Sequence, residues 1–275
     1  MTTILFIGDI VGRPGREILR RAIPALVTHH HVDLVIANVE NAAAGFGVTP
    51  DLANDFLEWG VHVMTGGNHT FDKKEIIPYF AGQPRLLRPA NMPAGTPGRG
   101  RCLATASNGV PVAVINGMGR VFMTAIDDPF RVIPDEIAAV KDQARIVFVD
   151  FHAEATSEKV AMGWHLDGRA TVVVCTHTHV QTADERILPN GTAYITDVGM
   201  TGPHDGVIGV ERGAILQRFL TGLPQRFETA TENPRLNGVV VTADEQTGHA
   251  LSITRLSLSA EDVEHLIAKP AAASR

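Results

Sequence analysis

Residues 171–179 read TVVVCTHTH, an apolar and β-branched run that ends in two histidines, His177 and His179. A run of this kind, bounded by polar residues, predicts a buried β-strand. On an extended segment, side chains two positions apart point to the same face, so both imidazoles are expected to reach one site. Imidazole is a common metal ligand, and the pair therefore predicts metal binding at the end of this strand.

Four other apolar runs along the chain also end in polar residues that can bind metal ions. The runs are Ile4–Ile7, Leu34–Ala37, Val61–Met64 and Arg145–Phe151, and they lead into Asp9, Glu40-Asn41, Asn68-His69 and His152. The carboxyl ends of strands are where α/β folds bind their ligands. All of these groups offer oxygen or imidazole, and none is cysteine. Together the five strand ends predict a two-metal hydrolase centre.

Taken singly, each of these residues has a simpler explanation that the sequence leaves open. Asp9 and Glu40 could cap helices, and Glu40 could instead form a salt bridge. His152 could be a hydrogen-bonded core histidine. Asn68 could form an Asx turn next to a surface His69. A glutamate is rarely buried without a partner, and a carboxylate that bridges two cations would have one.

Two glycines, Gly66 and Gly67, stand directly before Asn68-His69. Their conformational freedom predicts a tight turn that aims both following side chains into one cavity. Asn68 and His69 would then face different directions. This suits a ligand role for Asn68 and a general-acid role for His69 near the leaving oxygen.

The composition is that of a globular soluble protein with a sizeable core. The chain has 275 residues, 44% apolar and 20% charged, with a net charge of -6. This balance disfavours a general polyanion-binding surface. With only Cys102 and Cys175, we expect no disulfide framework and a cytoplasmic location. The first residues do not resemble a targeting signal, and no apolar run is long enough to predict a membrane span.

Strand and helix patterns alternate early in the chain, and strands dominate later. Further predicted strands cover Val110–Ile115 and Thr192–Thr196, followed by a hairpin of Gly238–Thr242 and Ala250–Ser257. Helices are predicted over Gly15–Val27, Asp51–Trp59, Asp135–Gln143 and Thr156–Met162, a loop over 81–100 and a frayed tail at 269–275. We expect an α/β (α+β) fold in which two packed sheets are flanked by helices, as a single domain over 1–275.

The strand-end motifs resemble those of a known superfamily. Gly66–His69 resembles the GNH element of calcineurin-like metallophosphoesterases, and Thr176–His179 resembles their GHxH element with Thr in place of Gly. More narrowly, five stretches resemble the bacterial YmdB-like family: GDIVGR (8–13), ENAAAG (40–45), GNHTFD (67–72), DFHAEATSEK (150–159) and TDVGMTG (196–202). Val11 stands where the superfamily has His, and Glu40 where it has Asp. The YmdB-like branch shares both departures and uses the following Asn, here Asn41, as a substitute ligand.

The resemblance implies a four-layer α-β-β-α sandwich of two mixed β-sheets, and a role for each site residue. Asp9, Asn41 and His179 would hold one metal ion. Asn68, His152 and His177 would hold the other. Glu40 would bridge the two ions, and His69 would be the proton donor. The resemblance implies iron as the metal, and a ligand set without thiolate suits Fe, Mn or Zn better than Cu(I) or a structural Zn site.

The activity implied by the resemblance is hydrolysis of 2′,3′-cyclic nucleotides to 3′-nucleotides, by a hydroxide that the two metal ions activate. Alternatives are a phosphomonoesterase or nuclease on the same centre, or a non-catalytic metal-dependent nucleotide sensor. The intact His69 disfavours the sensor. We expect a small nucleotide substrate, no membrane partner and a homo-oligomer. Aromatic residues make up only 5% of the chain, so no long nucleic acid is expected either. The nearest basic candidates for a phosphate contact are Arg13, Lys73, Lys74 and Lys159.

Overall fold

The computed structural model describes residues 1–268, so the tail predicted at 269–275 lies outside the described residues. The strands are β1 (Thr2–Ile7), β2 (Leu34–Asn38), β3 (Val63–Thr65), β4 (Arg101–Thr105), β5 (Pro111–Met118), β6 (Ile146–His152), β7 (Val172–Thr176), β8 (Arg186–Ile187), β9 (Ala193–Ile195), β10 (Gly202–Pro203), β11 (Pro234–Ala243) and β12 (Ala250–Ser259). The helices are α1 (Gly12–His30), α2 (Pro50–Glu58), α3 (Ile76–Gly82), α4 (Pro129–Ala138), α5 (Thr156–Leu166), α6 (Arg212–Thr221) and α7 (Ala260–Ala268).

The strands form two mixed sheets. In the first, the order is β10-β11-β1-β2-β3, and β12 also pairs with β11. Strands β1, β2 and β3 are parallel, while β11 runs antiparallel to β1. In the second sheet the order is β4-β5-β6-β7-β9-β8, and β5, β6, β7 and β9 are parallel. The second sheet therefore has a parallel centre and antiparallel edge strands, whereas the first is parallel from β1 to its edge strand β3 and antiparallel on the other side of β1.

The two sheets pack face to face, and helices cover their outer faces. Ile4 and Phe6 of β1 point into the core between the sheets, where the rings of Phe6 and Phe148 lie 5.2 Å apart. Leu5 and Ile7 point outward into a second core with α1. Since both faces of β1 are buried, its residues Ile4–Ile7 form an unbroken apolar run. A third core joins the other sheet to α4 and α5. This confirms the four-layer α-β-β-α arrangement.

Most predicted elements are present with shifted ends. Helix α4 begins at Pro129 rather than at the predicted Asp135, because Asp128 caps the backbone N–H of Phe130. The predicted loop over 81–100 overlaps the end of α3, and α3, α6, α7, β4 and the two-residue strands β8 and β10 have no counterpart in the prediction. Cys102 and Cys175 are both free. None of the helices in residues 1–268 combines the length and apolar character that crossing a bilayer requires. That the whole chain forms one domain stays a prediction.

The carboxyl ends of the parallel strands in the two sheets meet at one edge of the sandwich. Asn38 at the end of β2 donates a hydrogen bond of 3.1 Å to Asp150 of β6. The backbone N–H of His177, just after β7, donates to Asp9 Oδ2, just after β1, at 3.1 Å. These contacts cross from one sheet to the other. The polar ends of both sheets therefore share one space.

Candidate metal centre

One ring nitrogen of His152 is the centre of a tight cluster. His152 Nε2 lies 2.9 Å from Glu40 Oε1, 3.0 Å from Asn68 Oδ1 and 3.0 Å from His177 Nδ1. Glu40, His152 and His177 together form a group of side chains whose ligand atoms could hold one metal ion. The four side chains come from the ends of four strands in two sheets, as the sequence predicts.

A second group of predicted residues lies beside this cluster. Asn41 Nδ2 is 3.5 Å from His179 Nε2, and Asp9 Oδ1 is 3.8 Å from His152 Nδ1. Asp9 also accepts from the His177 backbone. The structure thus brings all seven predicted ligands into one region. Which ion each residue would hold stays a prediction.

Three buried oxygens in this region lack hydrogen-bond donors. They are Asp9 Oδ1, Glu40 Oε1 and Asn41 Oδ1. Glu40 Oε1 is close to His152 Nε2, but the contact does not have the geometry of a hydrogen bond. An unpaired buried carboxylate is costly, and burial raises the pKa of Asp9 to about 7 and that of Glu40 above its ordinary value. Oxygens without donors, next to neutral imidazoles, are a donor set that fits metal ions.

A relay of buried side chains orients His152. Thr176 Oγ1 donates to Asp150 Oδ1 at 2.8 Å, so the hydroxyl oxygen of Thr176 accepts the Nδ1–H of His152 at 2.9 Å. Asp150 also accepts from Thr65 and Asn38. With its proton on Nδ1, His152 presents the Nε2 lone pair to the cluster. Hydrogen bonds of this kind fix the tautomer of metal-binding histidines in proteins.

The two histidines after β7 are oriented in the same way. His177 Nε2 donates to the Glu154 carboxylate at 2.9 Å, which leaves Nδ1 facing His152. His179 Nδ1 donates to the Ile208 carbonyl at 2.8 Å, which leaves Nε2 near Asn41. Burial lowers the pKa of His152 to about 4 and that of His177 to about 3, and it lowers the pKa of His179 as well. The three rings are therefore neutral at neutral pH, the form that binds metal.

The reason predicted for the alignment of His177 and His179 is wrong. Strand β7 ends at Thr176, and neither histidine is in extended conformation. His177 has φ 101° and His179 has φ 65°, a left-handed region that side chains with Cβ rarely adopt. The two residues reach the site through a strained turn rather than through strand alternation. Strain of this kind concentrates at functional sites.

Lys159 is not free to contact a phosphate, so the prediction that named it as a basic candidate for a phosphate contact is wrong. Its side chain is 1% exposed, and its Nζ donates to Asp197 Oδ2 at 2.7 Å and to Thr178 Oγ1 at 2.9 Å. Thr178 also donates to Asp197 through its hydroxyl and its backbone N–H. The buried ion pair therefore anchors the turn that carries His177 and His179.

Positions 66 and 67 have no room for a Cβ, because neighbouring side chains lie too close to the backbone there. The prediction attributed these glycines instead to the conformational freedom that a tight turn needs. Neither has a positive φ. A Cβ on Gly67 would lie 2.1 Å from the His152 ring, and a Cβ on Gly66 would lie 2.4 Å from Thr70 Oγ1. The absence of side chains here lets the loop after β3 close over His152 and places Asn68 against it.

His69 lies at the rim of the centre, with 26% of its side chain exposed. Its Nδ1 is 2.7 Å from Asp72 Oδ2, and its backbone N–H donates to Glu40 Oε2 at 2.9 Å. It borders a cavity of about 280 Å³ whose lining also includes Asn41, Phe46 and Glu154. The imidazole is thus held next to the cluster but outside it.

The prediction missed the residues that orient the site residues. Asp72 binds His69, Glu154 binds His177, Asp150 and Thr176 orient His152, and Asp197 anchors Thr178. Apart from Thr176, they lie within the five stretches quoted above for the family resemblance, and Thr176 opens the GHxH-like element. These orienting residues could have been found from the sequence as the polar residues of the motifs that are not themselves ligands.

The chain is similar in sequence to named bacterial proteins. It is 51% identical, over 256 residues, to the 2′,3′-cyclic-nucleotide 2′-phosphodiesterase of Bacillus subtilis (strain 168), covering 93% of this chain and 97% of the relative. It is 34% identical to a putative phosphatase/phosphodiesterase of Mycoplasma genitalium, covering 96% of this chain and 95% of the relative.

Two solved structures share its fold. A hypothetical protein from Thermus thermophilus superposes with a TM-score of 0.88 at 40% identity, covering 94% of this chain and 99% of that one. A novel phosphatase from Mycoplasma pneumoniae gives the same TM-score, 0.88, at 33% identity, covering 94% of this chain and 93% of that one. The family model described as "YmdB-like protein" matches residues 5–256. A match over nearly the whole chain, together with these relatives, makes the protein a member of the YmdB-like family.

Proposed function

We propose that this chain is a metal-dependent phosphodiesterase that hydrolyses 2′,3′-cyclic nucleotides and leaves a 3′-phosphate. Its relatives are named as phosphodiesterases and phosphatases, so the broad class is that of phosphoric ester hydrolases. The cyclic nucleotide follows the printed name of the Bacillus subtilis relative. What the chain itself contributes is a cluster of neutral imidazoles and unpartnered oxygens at the ends of its strands.

One observation carries the metal dependence. His152 Nε2 and His177 Nδ1 face each other at 3.0 Å, while the other nitrogen of each ring donates to Thr176 or Glu154. Burial keeps both rings neutral, so neither has a second proton to place between them. Two lone pairs at this distance repel each other unless a cation accepts both. Glu40 Oε1 and Asn68 Oδ1 also lie close to His152 Nε2, at 2.9 Å and 3.0 Å.

We assign the ligands to two positions. Asn68, His152 and His177 would hold one ion, and Asp9, Asn41 and His179 would hold the other. Glu40 is assigned to the bridge by the family resemblance; its Oε1 lies beside His152 Nε2 at the first position, and its Oε2 accepts from the His69 backbone. Oxygen and imidazole ligands suit iron, with Mn or Zn as further candidates. When bound, two such ions supply an activated water and neutralise charge on the phosphate oxygens.

His69 is the residue we assign to the leaving oxygen. Asp72 accepts the hydrogen bond from His69 Nδ1, so Nε2 is the atom that would pass a proton to the ribose 2′ oxygen as its bond to phosphorus breaks. The His69 backbone bond to Glu40 fixes the ring beside the ligand cluster. This arrangement combines a positioned acid with an orienting carboxylate, as general acid catalysis requires.

The size and lining of the cavity suit a small substrate. Its volume of about 280 Å³ is just below the usual range for ligand pockets, which is about 300–1,000 Å³. Phe46 offers an apolar wall, and its ring lies 5.0 Å from that of His69. We therefore propose that the cavity takes the ribose and cyclic phosphate of one nucleotide.

The test is turnover of 2′,3′-cyclic AMP by metal-loaded protein, with the product identified as 3′-AMP or 2′-AMP by chromatography. The proposal expects 3′-AMP. Faster turnover of an aryl phosphomonoester would favour a phosphomonoesterase. Preference for long single-stranded RNA, with activity that collapses between about 50 and 200 mM salt, would favour a nuclease. Nucleotide binding without turnover, unchanged in His69→Ala, would favour the sensor.

A further inference from the structure

A second groove opens directly beside the cavity of the metal centre. It is an open groove of about 720 Å³ and lies between the loop after β2, the start of α1 and residues 226–231. Phe46 lines both the groove and the cavity of the metal centre. Phe46 thus separates the groove from the cavity, and a ligand that occupied both would pass over its ring.

The groove is positively charged although the chain is acidic overall. Arg13, Arg16, Lys73 and Arg226 line it. Glu75 and Glu228 lie on the same surface, so the cations are in excess. A local excess of positive charge on a protein with a net charge of -6 indicates a site for a negatively charged group.

Two of the four cations are already held by other groups. Arg13 pairs with Glu17, and Arg16 donates to the carbonyl of Ala42. The other two are more available. Arg226 is 90% exposed and has only a loose contact of 3.9 Å with Glu228. Lys73 has no carboxylate partner within residues 1–268. A phosphate bound in the groove would therefore be expected to contact Lys73 and Arg226.

The groove also offers apolar surface. The side chain of Phe46 is 39% exposed, and Phe227 adds a second aromatic ring. Cations beside aromatic rings are the combination that binds a nucleotide backbone and its bases.

The groove is built on the same loops as the metal centre. Ala43 and Ala44 follow the predicted ligand Asn41, and Lys73 follows Asp72, which orients His69. A nucleotide whose cyclic phosphate is at the centre has its 5′ oxygen at the far side of the ribose. Any chain attached at that oxygen must leave the small cavity, and the groove beyond Phe46 offers it an electropositive path.

We propose that the groove binds the upstream nucleotide of a short oligoribonucleotide that ends in a 2′,3′-cyclic phosphate. This proposal rests on the proposed function and widens the substrates of the same centre from mononucleotides to short oligoribonucleotides. The chemistry is unchanged: water adds to phosphorus, the bond from phosphorus to the 2′ oxygen breaks, and that oxygen takes a proton. The product is an oligoribonucleotide with a 3′-phosphate. Such substrates are formed by RNA cleavage in which a 2′-hydroxyl attacks the adjacent phosphate.

The experiment compares kcat/KM for the dinucleotide ApA with a 2′,3′-cyclic end and for 2′,3′-cyclic AMP, using metal-loaded protein. The expected ratio is about ten to a hundred, the effect of one or two charge-assisted hydrogen bonds. In the double variant Lys73→Glu/Arg226→Glu the ratio should fall to about one. Arg131→Glu reverses an exposed charge on α4, on the other sheet, and should keep the wild-type ratio. If the double variant does not fold, Arg226→Met alone should still lower the ratio.

Each other outcome overturns the proposal. A wild-type ratio near one, with good turnover of 2′,3′-cyclic AMP, contradicts the groove while leaving the proposed function intact. A ratio that survives charge reversal contradicts the assignment to Lys73 and Arg226. An equal gain for the mononucleotide with a 5′-phosphate contradicts binding of the upstream nucleoside. Failure of wild-type protein to hydrolyse either substrate contradicts the proposed function and this proposal with it.

Discussion

Lys159 Nζ lies 2.7 Å from Asp197 Oδ2, and both side chains are 1% exposed. Both groups also bind Thr178, the residue between His177 and His179. A charged pair this deeply buried is stable only when its geometry and remaining hydrogen bonds are satisfied. The pair therefore fixes the left-handed turn that brings two imidazoles to the metal centre, although neither Lys159 nor Asp197 is itself a predicted ligand.

Removing Lys159 should destabilise the protein and loosen the turn. Lys159→Met leaves Asp197 as an uncompensated buried charge, and we expect a loss of about 3–5 kcal/mol in the free energy of unfolding. Lys141→Met, at an exposed lysine, should change it by less than about 0.5 kcal/mol. Denaturant unfolding of both variants gives the comparison. Equal effects in the two variants would contradict the anchoring role.

Gly67→Ala should disrupt the metal centre by displacing His152. The new Cβ would lie 2.1 Å from the imidazole ring, a distance at which the ring must move. We expect metal content to fall in Gly67→Ala. The matched control is Gly82→Ala, because a Cβ at Gly82 meets no atom within 4 Å. Retention of wild-type metal content and activity in Gly67→Ala would show that the close approach is not required.

His69→Ala should lower activity without lowering metal content. Loss of a general acid typically costs about 10²–10⁴-fold in rate, and less for a leaving group that needs no proton. Hydrolysis of 2′,3′-cyclic AMP should therefore suffer more than that of an aryl phosphodiester such as a p-nitrophenyl ester. Asp72→Asn, which replaces the carboxylate partner of His69 Nδ1 with a neutral amide, should show the same pattern with a smaller loss of rate. Equal losses on both substrates, or loss of metal, would count against the assignment.

Metal affinity of the metal-free protein should rise as the pH rises from 6 to 8. Burial raises the pKa of Asp9 to about 7, so below that pH a metal ion must displace a proton from the carboxyl. One displaced proton weakens binding by about tenfold per pH unit below the pKa. The pKa values of His152 and His177, about 4 and 3, keep both rings neutral across this range.

Calorimetric titration with Mn²⁺ at several pH values measures both affinity and proton release. Wild-type protein should release more protons at pH 6 than at pH 8, and Asp9→Asn should show a flatter dependence on pH. Affinity that stays constant or falls as the pH rises would contradict the raised pKa of Asp9.

The sequence predicted the layers of the fold and the residues of the centre for one physical reason. Strands such as β1 and β6 are buried on both faces, so they contain the apolar runs Ile4–Ile7 and Ile146–Val149, and a polar residue after such a run is conspicuous. Asp9 and His152 were found in this way. Helix α6 was not found, because none of its side chains is buried and its apolar residues Phe219 and Leu220 are exposed.

The orientation of the centre could not be read from the sequence. It depends on contacts between residues far apart in the chain, such as Asp150 with Thr65 and Lys159 with Asp197. A spacing of two residues between His177 and His179 suggested strand alternation, but the backbone turns at both positions. Local spacing identified the residues, whereas tertiary contacts set their directions.

The central claim is that Glu40 is shared by two metal ions in one centre. Metal per chain, measured after anaerobic purification of wild-type protein, Asp9→Ala and Glu40→Ala, tests it most directly. We expect two equivalents in wild-type protein, loss of mainly one in Asp9→Ala, and loss from both positions in Glu40→Ala, with hydrolysis of 2′,3′-cyclic AMP falling in step. Two full equivalents retained in Glu40→Ala would contradict the account.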